Sequence, residues 1–369
     1  MNKNIIALGF VSFFTDMASS MVTSILPIFI VYSLHQGVDK LGFVVAIATF
    51  ISYAFRVLFG YLSDKLGVVK PFVVTGYLIS ALTKPLLYFS YSWQSIAALR
   101  GIERIGKAVR SATKDSLISA YSNGKSGKTF GFHKTMDIAG ELLGSLIVFV
   151  LLFYLGESQE LFRNIFLATL IPGVLAVIVV VSFVEDAPYK YKKRDFNLAK
   201  DYHLLPMLFI YFGFIFFIFN DSFFLIKAKE AGFEIKYIPL LVVLLNLTQT
   251  LLSYIIGVQI DNIGAKNILI FSVIFGILSL MGLYFNFIIT SFIFLGVFIV
   301  GSLNAIRAYI SKFAFNKATV YGILYGGIAI FGALGALVSG ILWQKFGFNI
   351  AFYFSFYGMI IVFLLFLFI

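Results

Sequence analysis

The chain has 369 residues, of which 60% are hydrophobic and only 12% are charged, and its mean hydropathy is +0.98. A water-soluble domain is nearer a quarter charged, so these few charges cannot cover the surface of a soluble globule, and most of that surface must face lipid. The absence of cysteine excludes a disulfide framework, thiolate metal sites and cysteine nucleophiles. With only three histidines, no metal site is expected.

Twelve long apolar runs follow one another along the chain, separated by charged residues, glycine, proline and asparagine. They cover residues 4–33, 41–63, 69–90, 94–119, 130–154, 162–184, 204–226, 237–260, 266–286, 290–310, 319–342 and 348–369. A hydrocarbon layer of roughly 30 Å takes about 20 apolar residues per helix. Strands of a membrane barrel would instead be short and alternating. We therefore predict an all-α integral membrane protein with twelve transmembrane helices.

The Lys and Arg residues are unevenly divided between alternate loops. With the N-terminus inside, the inside segments hold 16 of the 28 Lys and Arg residues and the outside segments hold six. Because cytoplasmic loops are enriched in these residues, both termini are predicted in the cytoplasm. The net charge of +11 is thus a topology signal, and no nucleic-acid partner is expected. We expect a multi-pass protein of the cytoplasmic (inner) membrane, in contact with the lipid bilayer.

Two internal similarities divide the chain into halves. The segment GYLSDKLGVVK at 60–70 matches GVQIDNIGAKN at 257–267 in the order Gly, Asp, Gly. A second match aligns the glycines at 131 and 144 with those at 322 and 335. Internal repeats of this kind are typical of secondary transporters.

The repeat predicts three parts of the chain. An N-terminal six-helix bundle occupies 1–184, and a C-terminal six-helix bundle occupies 204–369. The polar segment 185–203, which contains the basic run YKYKKRD, is predicted to be a cytoplasmic linker between them.

The loop GYLSDKLG resembles the signature G-x-x-x-D-R/K-x-G-R/K between helices 2 and 3 of the major facilitator superfamily, and departs from it only at Val68. Arg100 and Glu103 stand where that family often has R-x-x-Q, whereas Gly140-x-x-x-Gly144 lacks the Gly-Pro of many family exporters. The segments FFTDMASSM, ERIGKAVRSATKDSLIS and GFHKTMDIAG resemble a bacterial and archaeal branch of permeases, most of which have no assigned substrate. The resemblance covers the whole chain.

This resemblance implies the fold and activity of the superfamily. Two pseudo-symmetric six-helix bundles would move a small-molecule substrate by rocker-switch alternating access, with the site near the midplane between halves and helices 1 and 4 lining it. The resemblance implies a monomer and no enzymatic activity.

The two copies of the signature loop form the predicted gating motif. It comprises Gly60, Asp64, Lys65, Gly67, Gly257, Asp261 and Gly264. The glycines permit close helix approach and a tight turn. Asp64 can accept hydrogen bonds from a helix N-terminus or pair with a basic residue of helix 4 or 11, closing one face of the transporter until the halves rock.

Ionisable residues inside the predicted helices are the strongest functional signal. They are Asp16, Arg56, Lys84, Arg100, Glu103, Arg104, Lys107, Asp137, Glu141 and Asp221. Each would cost about 2.5–3.5 kcal/mol at the bilayer centre, so they must face a wet cavity or one another. The basic residues of helix 4 fall in one helical stripe, and His133, Asp137 and Glu141 share one face of helix 5.

These residues define the predicted substrate and proton cavity. It comprises Asp16, Arg100, Glu103, Arg104, Lys107, His133, Asp137, Glu141, Asn220 and Asp221. The hypothesis is that the carboxylates at 16, 137 and 141 carry coupling protons, because burial disfavours a charged carboxyl and a nearby arginine favours it. The cations at 100, 104 and 107 would hold those carboxylates or bind an anionic substrate.

Several alternatives remain open on the sequence. The charges could be static ion pairs that fix the fold. The protein could be an uncoupled facilitator, or uniporter, of a small organic anion, or a non-transporting membrane scaffold. Two near matches to the phosphate-loop pattern, at 101–108 and 122–129, lie in a membrane helix and a turn, so no nucleotide cofactor is expected.

Overall fold

The computed structural model describes residues 2–66, 68–121, 126–186 and 200–368. Within these ranges the chain is almost wholly helical and contains no β-strand. Twelve helical segments are present in this part of the chain. They are α1 (Lys3–Thr23, continued by Leu26–Ile28 and the π-helical Phe29–Ser33), α2 (Val38–Leu66), α3 (Lys70–Thr83, continued by the 3₁₀ segment Pro85–Phe89), α4 (Trp93–Tyr121), α5 (Ser126–Leu155), α6 (Gln159–Ala168 and Leu170–Phe183), α7 (Leu205–Phe217 and Asp221–Glu230), α8 (Ile238–Ile263), α9 (Ala265–Tyr284), α10 (Ile288–Phe313), α11 (Lys317–Phe346) and α12 (Phe348–Leu367).

Hydropathy alone identifies eleven of these helices, in the described residues, as long and apolar enough to cross a membrane. The remaining one is α4, which has 29 residues but carries seven charged side chains. The all-helical membrane fold predicted from sequence is confirmed. The individual ends lie within a few residues of the predicted runs.

Four helices are interrupted in the described residues, α1, α3, α6 and α7, and local features account for the breaks in α1, α3 and α7. The first part of α1 ends at Thr23, just before Pro27, and that of α3 ends before Pro85, because proline lacks the N–H that continues a helix. In α7 the backbone is extended at Ile218, and Asn220 Oδ1 accepts from Ser222 N at 3.0 Å to start the second part. The sequence predicts these runs as continuous, since apolar residues persist across each break.

The helices gather into two compact units. Unit 1 comprises the described residues within Met1–His35, Ile51–Lys193 and Ile235–Val243. Unit 2 comprises the described residues within Gln36–Phe50, Arg194–Glu234 and Leu244–Ile369. Unit 1 thus holds most of α1–α6, and unit 2 holds most of α7–α12.

Small residues bring α1 against α5 in unit 1. A Cβ added at Gly140 or Gly144 would collide with the carbonyl oxygens of Phe13 and Met17. Beside them, Ser145 Oγ lies 2.6 Å from Ser20 Oγ and 2.9 Å from Ser24 Oγ. Close backbone approach and hydroxyl hydrogen bonds are the usual means of helix association in lipid, where apolar surface provides little driving force.

The same packing recurs in unit 2. A Cβ at Gly335 of α11 would collide with the carbonyl oxygen of Phe216 in α7. Gly335 is the residue that the sequence repeat aligns with Gly144. In both units, therefore, the first helix of the half packs on the fifth helix through a glycine at the same repeat position.

The chain segments on either side of residues 187–199 are fixed to helix ends. Asp186 Oδ1 accepts from Lys70 N at 3.1 Å, at the start of α3. Asp201, which is 1% exposed, accepts from Phe315 N at 2.7 Å and Asn316 N at 3.0 Å, just before α11. Most of the predicted linker 185–203 lies outside the described residues.

The aligned glycines give a matched test of helix packing. Valine at Gly144 or Gly335 should lower the unfolding midpoint of the purified protein, because overpacking costs about 1–3 kcal/mol. Alanine at Gly131 or Gly322, where an added Cβ meets nothing within 4 Å, should leave it unchanged or raise it, because alanine favours a helix by about 0.5–1 kcal/mol. Scanning fluorimetry in detergent measures all four variants. Equal effects at open and tight positions would contradict this packing.

Candidate functional site

Helix α4 is the polar helix of unit 1, and it is held close to α3. A Cβ at Gly76 of α3 would lie 2.6 Å from Gly106 O, and one at Gly106 of α4 would lie 2.8 Å from Gly76 O. The absence of side chains at both positions therefore lets the two backbones approach directly. The charged face of α4 is thereby brought into the interior of unit 1, and Arg100, Glu103 and Arg110 are all buried.

Glu103 is the acidic centre of the first charge cluster. Its Oε2 accepts from Arg100 Nη1 at 2.6 Å and lies 3.5 Å from Arg104 Nε. Glu103 is 1% exposed. Because a carboxylate buried this deeply requires a partner, the two arginines are committed largely to it. Arg100, Glu103 and Arg104, all predicted cavity residues, therefore lie in contact.

A chain of polar contacts, here called the relay, joins α4, α1 and α5. Lys114 Nζ donates to Ser12 Oγ at 3.1 Å, and Ser12 Oγ lies 2.9 Å from His133 Nε2. On the other side of the ring, His133 Nδ1 lies 3.3 Å from Asp137 Oδ1. Ser12 and His133 are buried, whereas the Asp137 side chain is 17% exposed. The relay therefore passes through two buried groups and ends in two partly exposed ones, Lys114 and Asp137.

The relay has a consistent direction of donation. An ammonium can only donate, so Ser12 accepts from Lys114, and its hydroxyl hydrogen remains available to Nε2 of His133. A neutral imidazole that accepts at Nε2 carries its hydrogen on Nδ1, which faces Asp137. An ionised Asp137 carboxylate can only accept, so it favours this tautomer of His133.

A small cavity lies beside the relay within unit 1. Its volume is about 60 Å³, and it is lined by Ser12, Thr15, Asp16, Tyr77, Lys107, Arg110, Ser111 and Lys114. The predicted cavity residues Asp16 and Lys107 therefore face the same space. Next to the cavity, α1, α3, α4 and α6 form an apolar core that includes Leu8, Val73 and Leu117.

Two further cations of unit 1 have defined partners. Lys84, only 1% exposed, donates to Thr15 O at 3.3 Å next to the cavity. Arg56 of α2 donates to Asp115 of α4 at 3.2 Å, and both side chains are substantially exposed. Arg56 thus contacts a carboxylate, whereas Lys84 contacts a backbone carbonyl.

The remaining predicted residues are placed differently. Glu141 is half-buried one turn beyond Asp137 on α5. Asn220 caps the second part of α7, and Asp221 is exposed in its first turn. The role of these three residues in a cavity stays a prediction.

The second copy of the predicted gating motif forms a tight turn between α8 and α9. Gly264 has φ +90°, a conformation that favours glycine, and a Cβ at Gly257 would meet nothing within 4 Å. Asp261 is exposed at the end of α8. In the first copy, Gly60 and Lys65 lie in α2, but Gly67 and the side chain of Asp64 lie outside the described residues.

Six residues of the relay and the cavity are absent from the predicted site: Ser12, Thr15, Tyr77, Arg110, Ser111 and Lys114. Periodicity could have identified three of them. Ser12 is one turn before Asp16 on α1, and Arg110 and Lys114 extend the stripe that begins at Arg100. Tyr77 gave no such signal, because an aromatic residue in an apolar helix is unremarkable in sequence.

The polar cluster of unit 2 is smaller. Arg307 Nη2 of α10 donates to Tyr325 Oη at 2.9 Å, and Tyr321 Oη donates to Arg307 O at 3.0 Å. At the positions aligned with His133, Asp137 and Glu141, unit 2 has Leu324, Ile328 and Gly332. Within the described residues, no three His, Cys, Asp or Glu side chains are arranged to hold a metal ion.

Comparison with known sequences identifies a family and relatives. The model of the Major Facilitator Superfamily matches residues 8–249. The uncharacterized MFS-type transporter MJ1317 of Methanocaldococcus jannaschii is 33% identical over 359 residues, which are 93% of this chain and 89% of that protein. The uncharacterized protein Rv2265 of Mycobacterium tuberculosis is 33% identical over 122 residues, which are 32% of this chain and 30% of that protein.

Solved structures show the same fold at low identity. A crystal structure of the nucleoside transporter NupG matches with a TM-score of 0.77 at 15% identity, over 99% of this chain and 98% of that one. A POT family transporter in complex with a thioalcohol conjugated peptide matches with a TM-score of 0.80 at 10% identity, over 99% of this chain and 94% of that one. These likenesses concern the fold alone.

Proposed function

The chain belongs to the Major Facilitator Superfamily and is a multi-pass membrane transporter, and we propose that it moves a small solute by rocker-switch alternating access driven by the proton gradient. The relay from Asp137 through His133 and Ser12 to Lys114 is the observation that carries the coupling proposal. It supplies titratable groups in polar contact within one unit. The transporter assignment itself rests on the family.

The relay can accept and pass on a proton. In the neutral tautomer with its hydrogen on Nδ1, His133 directs that N–H towards Asp137 Oδ1 at 3.3 Å, and Nε2 accepts from Ser12. A proton that reaches Asp137 removes the charge that this N–H stabilises and weakens the contact between the ring and the carboxyl. Because Ser12 lies on α1 and Lys114 on α4, this change is transmitted to the packing of three helices. Protonation and helix arrangement are thereby linked.

Two other carboxylates extend the proposed path. Asp16 lies in the cavity that Lys114 also lines, one turn along α1 from Ser12. Glu141 lies one turn along α5 from Asp137. The carboxylates at 16, 137 and 141 thus belong to the two helices that Ser12 and His133 join, and we assign them the coupling role.

Substitution of Asp137 by Asn tests the coupling. A transported ligand is first found by a thermal-shift screen on the purified wild-type protein. Its uptake into proteoliposomes is then measured. Wild type should accumulate the ligand when a pH gradient is imposed. Asp137→Asn should retain counterflow without a gradient but lose gradient-driven accumulation, because the amide cannot take up the proton.

Glu160→Gln is the matched control, since it changes an exposed carboxylate in the first turn of α6. It should accumulate the ligand as wild type does. Undiminished gradient-driven accumulation by Asp137→Asn would remove that residue from coupling.

One observation favours a second candidate, an uncoupled facilitator of a small organic anion. Three cations line the cavity against one carboxylate, so an anion could be held there without any proton. Counterflow by wild type with no response to an imposed pH gradient would favour this candidate over the coupled transporter.

We also propose that both termini lie in the cytoplasm of a cell whose cytoplasmic membrane holds the protein. The excess of Lys and Arg in the predicted inside loops supports this orientation. The chain has no cysteine, so single cysteines can be introduced directly. Lys345→Cys, at the exposed end of α11, should react with a membrane-impermeant maleimide in intact cells. Asn262→Cys, at the exposed end of α8, should react only after lysis, and the reverse pattern would refute the orientation.

A further inference from the structure

The cavity of unit 1 has a strongly positive lining. Lys107, Arg110 and Lys114 of α4 face it together with the single carboxylate of Asp16. With each group ionised, the four side chains carry a formal charge of +2. The three cations are spaced i, i+3 and i+7, which places them on one face of α4.

The other cations of α4 are engaged elsewhere. Arg100 and Arg104 both approach Glu103 Oε2, at 2.6 and 3.5 Å. Neither lines the cavity. The positive charge of the cavity is therefore a property of the half of α4 that begins at Lys107.

Two buried donors at the cavity are unsatisfied. Arg110 is 6% exposed, and its Nη1 has no hydrogen-bond partner among the described residues. Tyr77 is 2% exposed, and its Oη likewise has none in that part of the chain. The Arg110 guanidinium lies 4.7 Å from the centroid of the Tyr77 ring, which fixes the two groups relative to each other. Buried donors without partners are costly, so they indicate a missing acceptor.

We propose that this cavity binds the anionic oxygen group, a phosphate or a carboxylate, of the transported solute. The assignment rests on the proposed transport function and names its substrate class. Arg110 and Tyr77 donate to the anion, and Lys107 and Lys114 balance its charge. Arginine suits this role because its planar fork matches carboxylate and phosphate oxygens.

The size of the cavity fits one group of a solute. A volume of about 60 Å³ is far below the roughly 300–1,000 Å³ of a pocket that encloses a whole drug-sized ligand. A phosphate carries about −1.5 to −2 charges at neutral pH, which offsets the formal charge of the lining.

The site is also connected to the relay. Lys114 lines the cavity and donates to Ser12 Oγ, which itself lines the cavity. An anion that attracts the Lys114 ammonium competes with this hydrogen bond. Binding of the anion and the state of His133 and Asp137 are therefore linked through one ammonium group.

Anion binding can be measured on the purified full-length protein in neutral detergent. Inorganic phosphate, glycerol phosphate and succinate are titrated separately while the unfolding midpoint is followed, with sodium chloride at matched ionic strength as the reference. At least one of the three anions should raise the midpoint in a saturable manner, beyond the chloride reference. Free phosphate and a phosphate ester present the same anionic oxygens to the cavity. The one that binds more tightly identifies whether the solute is inorganic phosphate or a phosphate ester.

Variants of the two unsatisfied donors assign the binding to this cavity. Arg110→Gln should weaken the affinity for the stabilising anion by about tenfold or more, because a hydrogen bond to a charged group is lost. Tyr77→Phe should weaken it about threefold to tenfold, since only the hydroxyl is removed. If Arg110→Gln fails to fold, Arg110→Lys and Tyr77→Phe still test the site, and both should bind more weakly than wild type.

Arg56→Gln is the matched control, because this arginine pairs with Asp115 outside the cavity. It should bind the anion as wild type does. The proposal is overturned if no anion stabilises beyond chloride, if Arg110 and Tyr77 variants bind as wild type, or if Arg56→Gln loses as much affinity. It is also overturned if nanodiscs containing phosphatidylglycerol abolish the shift and phosphatidylcholine nanodiscs do not, since the anion would then be lipid.

The outcome is separable from that of the coupling proposal. Equilibrium binding in detergent needs neither a membrane nor a gradient. Anion binding without gradient-driven accumulation would refute the proposed proton coupling and would leave the proposed anion site standing. Gradient-driven accumulation of an uncharged solute, with no anion binding, would refute the site and leave the coupling.

Discussion

The organisation of unit 1 depends on the cost of placing charge in a membrane. A charged side chain facing the bilayer centre costs about 2.5–3.5 kcal/mol on the lenient scale, and α4 alone carries seven. The protein meets this constraint by turning α4 inwards, with Gly76 and Gly106 permitting close contact to α3. Glu103 then stabilises two arginines, and the cations Lys107, Arg110 and Lys114 of α4 line a small cavity. The ion pairs of Glu103 and the charged lining of the cavity both follow from the burial of this one helix.

The two units share their packing but differ in their chemistry. Gly144 and Gly335 occupy equivalent positions and bring equivalent helices together, as the repeat predicts. By contrast, His133 and Asp137 are replaced in unit 2 by Leu324 and Ile328, both of which are buried. A duplicated scaffold therefore carries its titratable groups mainly in one copy.

Much of the fold could be predicted from sequence, because long apolar runs leave few alternatives in lipid. The prediction included α4, whose charges fall in one helical stripe although its hydropathy is too low for a membrane span. The Glu103 pairing could also be anticipated, since Arg100 and Arg104 are within one turn of it. The spacing of residues along one helix is enough to predict such contacts.

The relay and the cavity could not be predicted in the same way. Ser12 and His133 are 121 residues apart, and their contact depends on how α1 and α5 pack. Tyr77 enters the site only because the α3–α4 glycine contact sets the register between those helices. The break in α7 was also missed, because Ile218 is apolar and the cap at Asn220 is visible only once the backbone is known. These features arise from tertiary packing, which a single sequence does not encode locally.

The central claim is that buried charges in unit 1 are stabilised by one another, and a comparison of two acid-to-amide substitutions tests it most directly. Glu103→Gln removes the carboxylate between Arg100 and Arg104, which should destabilise the protein by about 3–5 kcal/mol. Asp115→Asn removes the partner of Arg56 from an ion pair whose side chains are 29% and 46% exposed, which should cost about 0–1 kcal/mol. The unfolding midpoint of each purified variant should therefore fall sharply for the first and little for the second. Equal midpoints for the two variants would contradict the account.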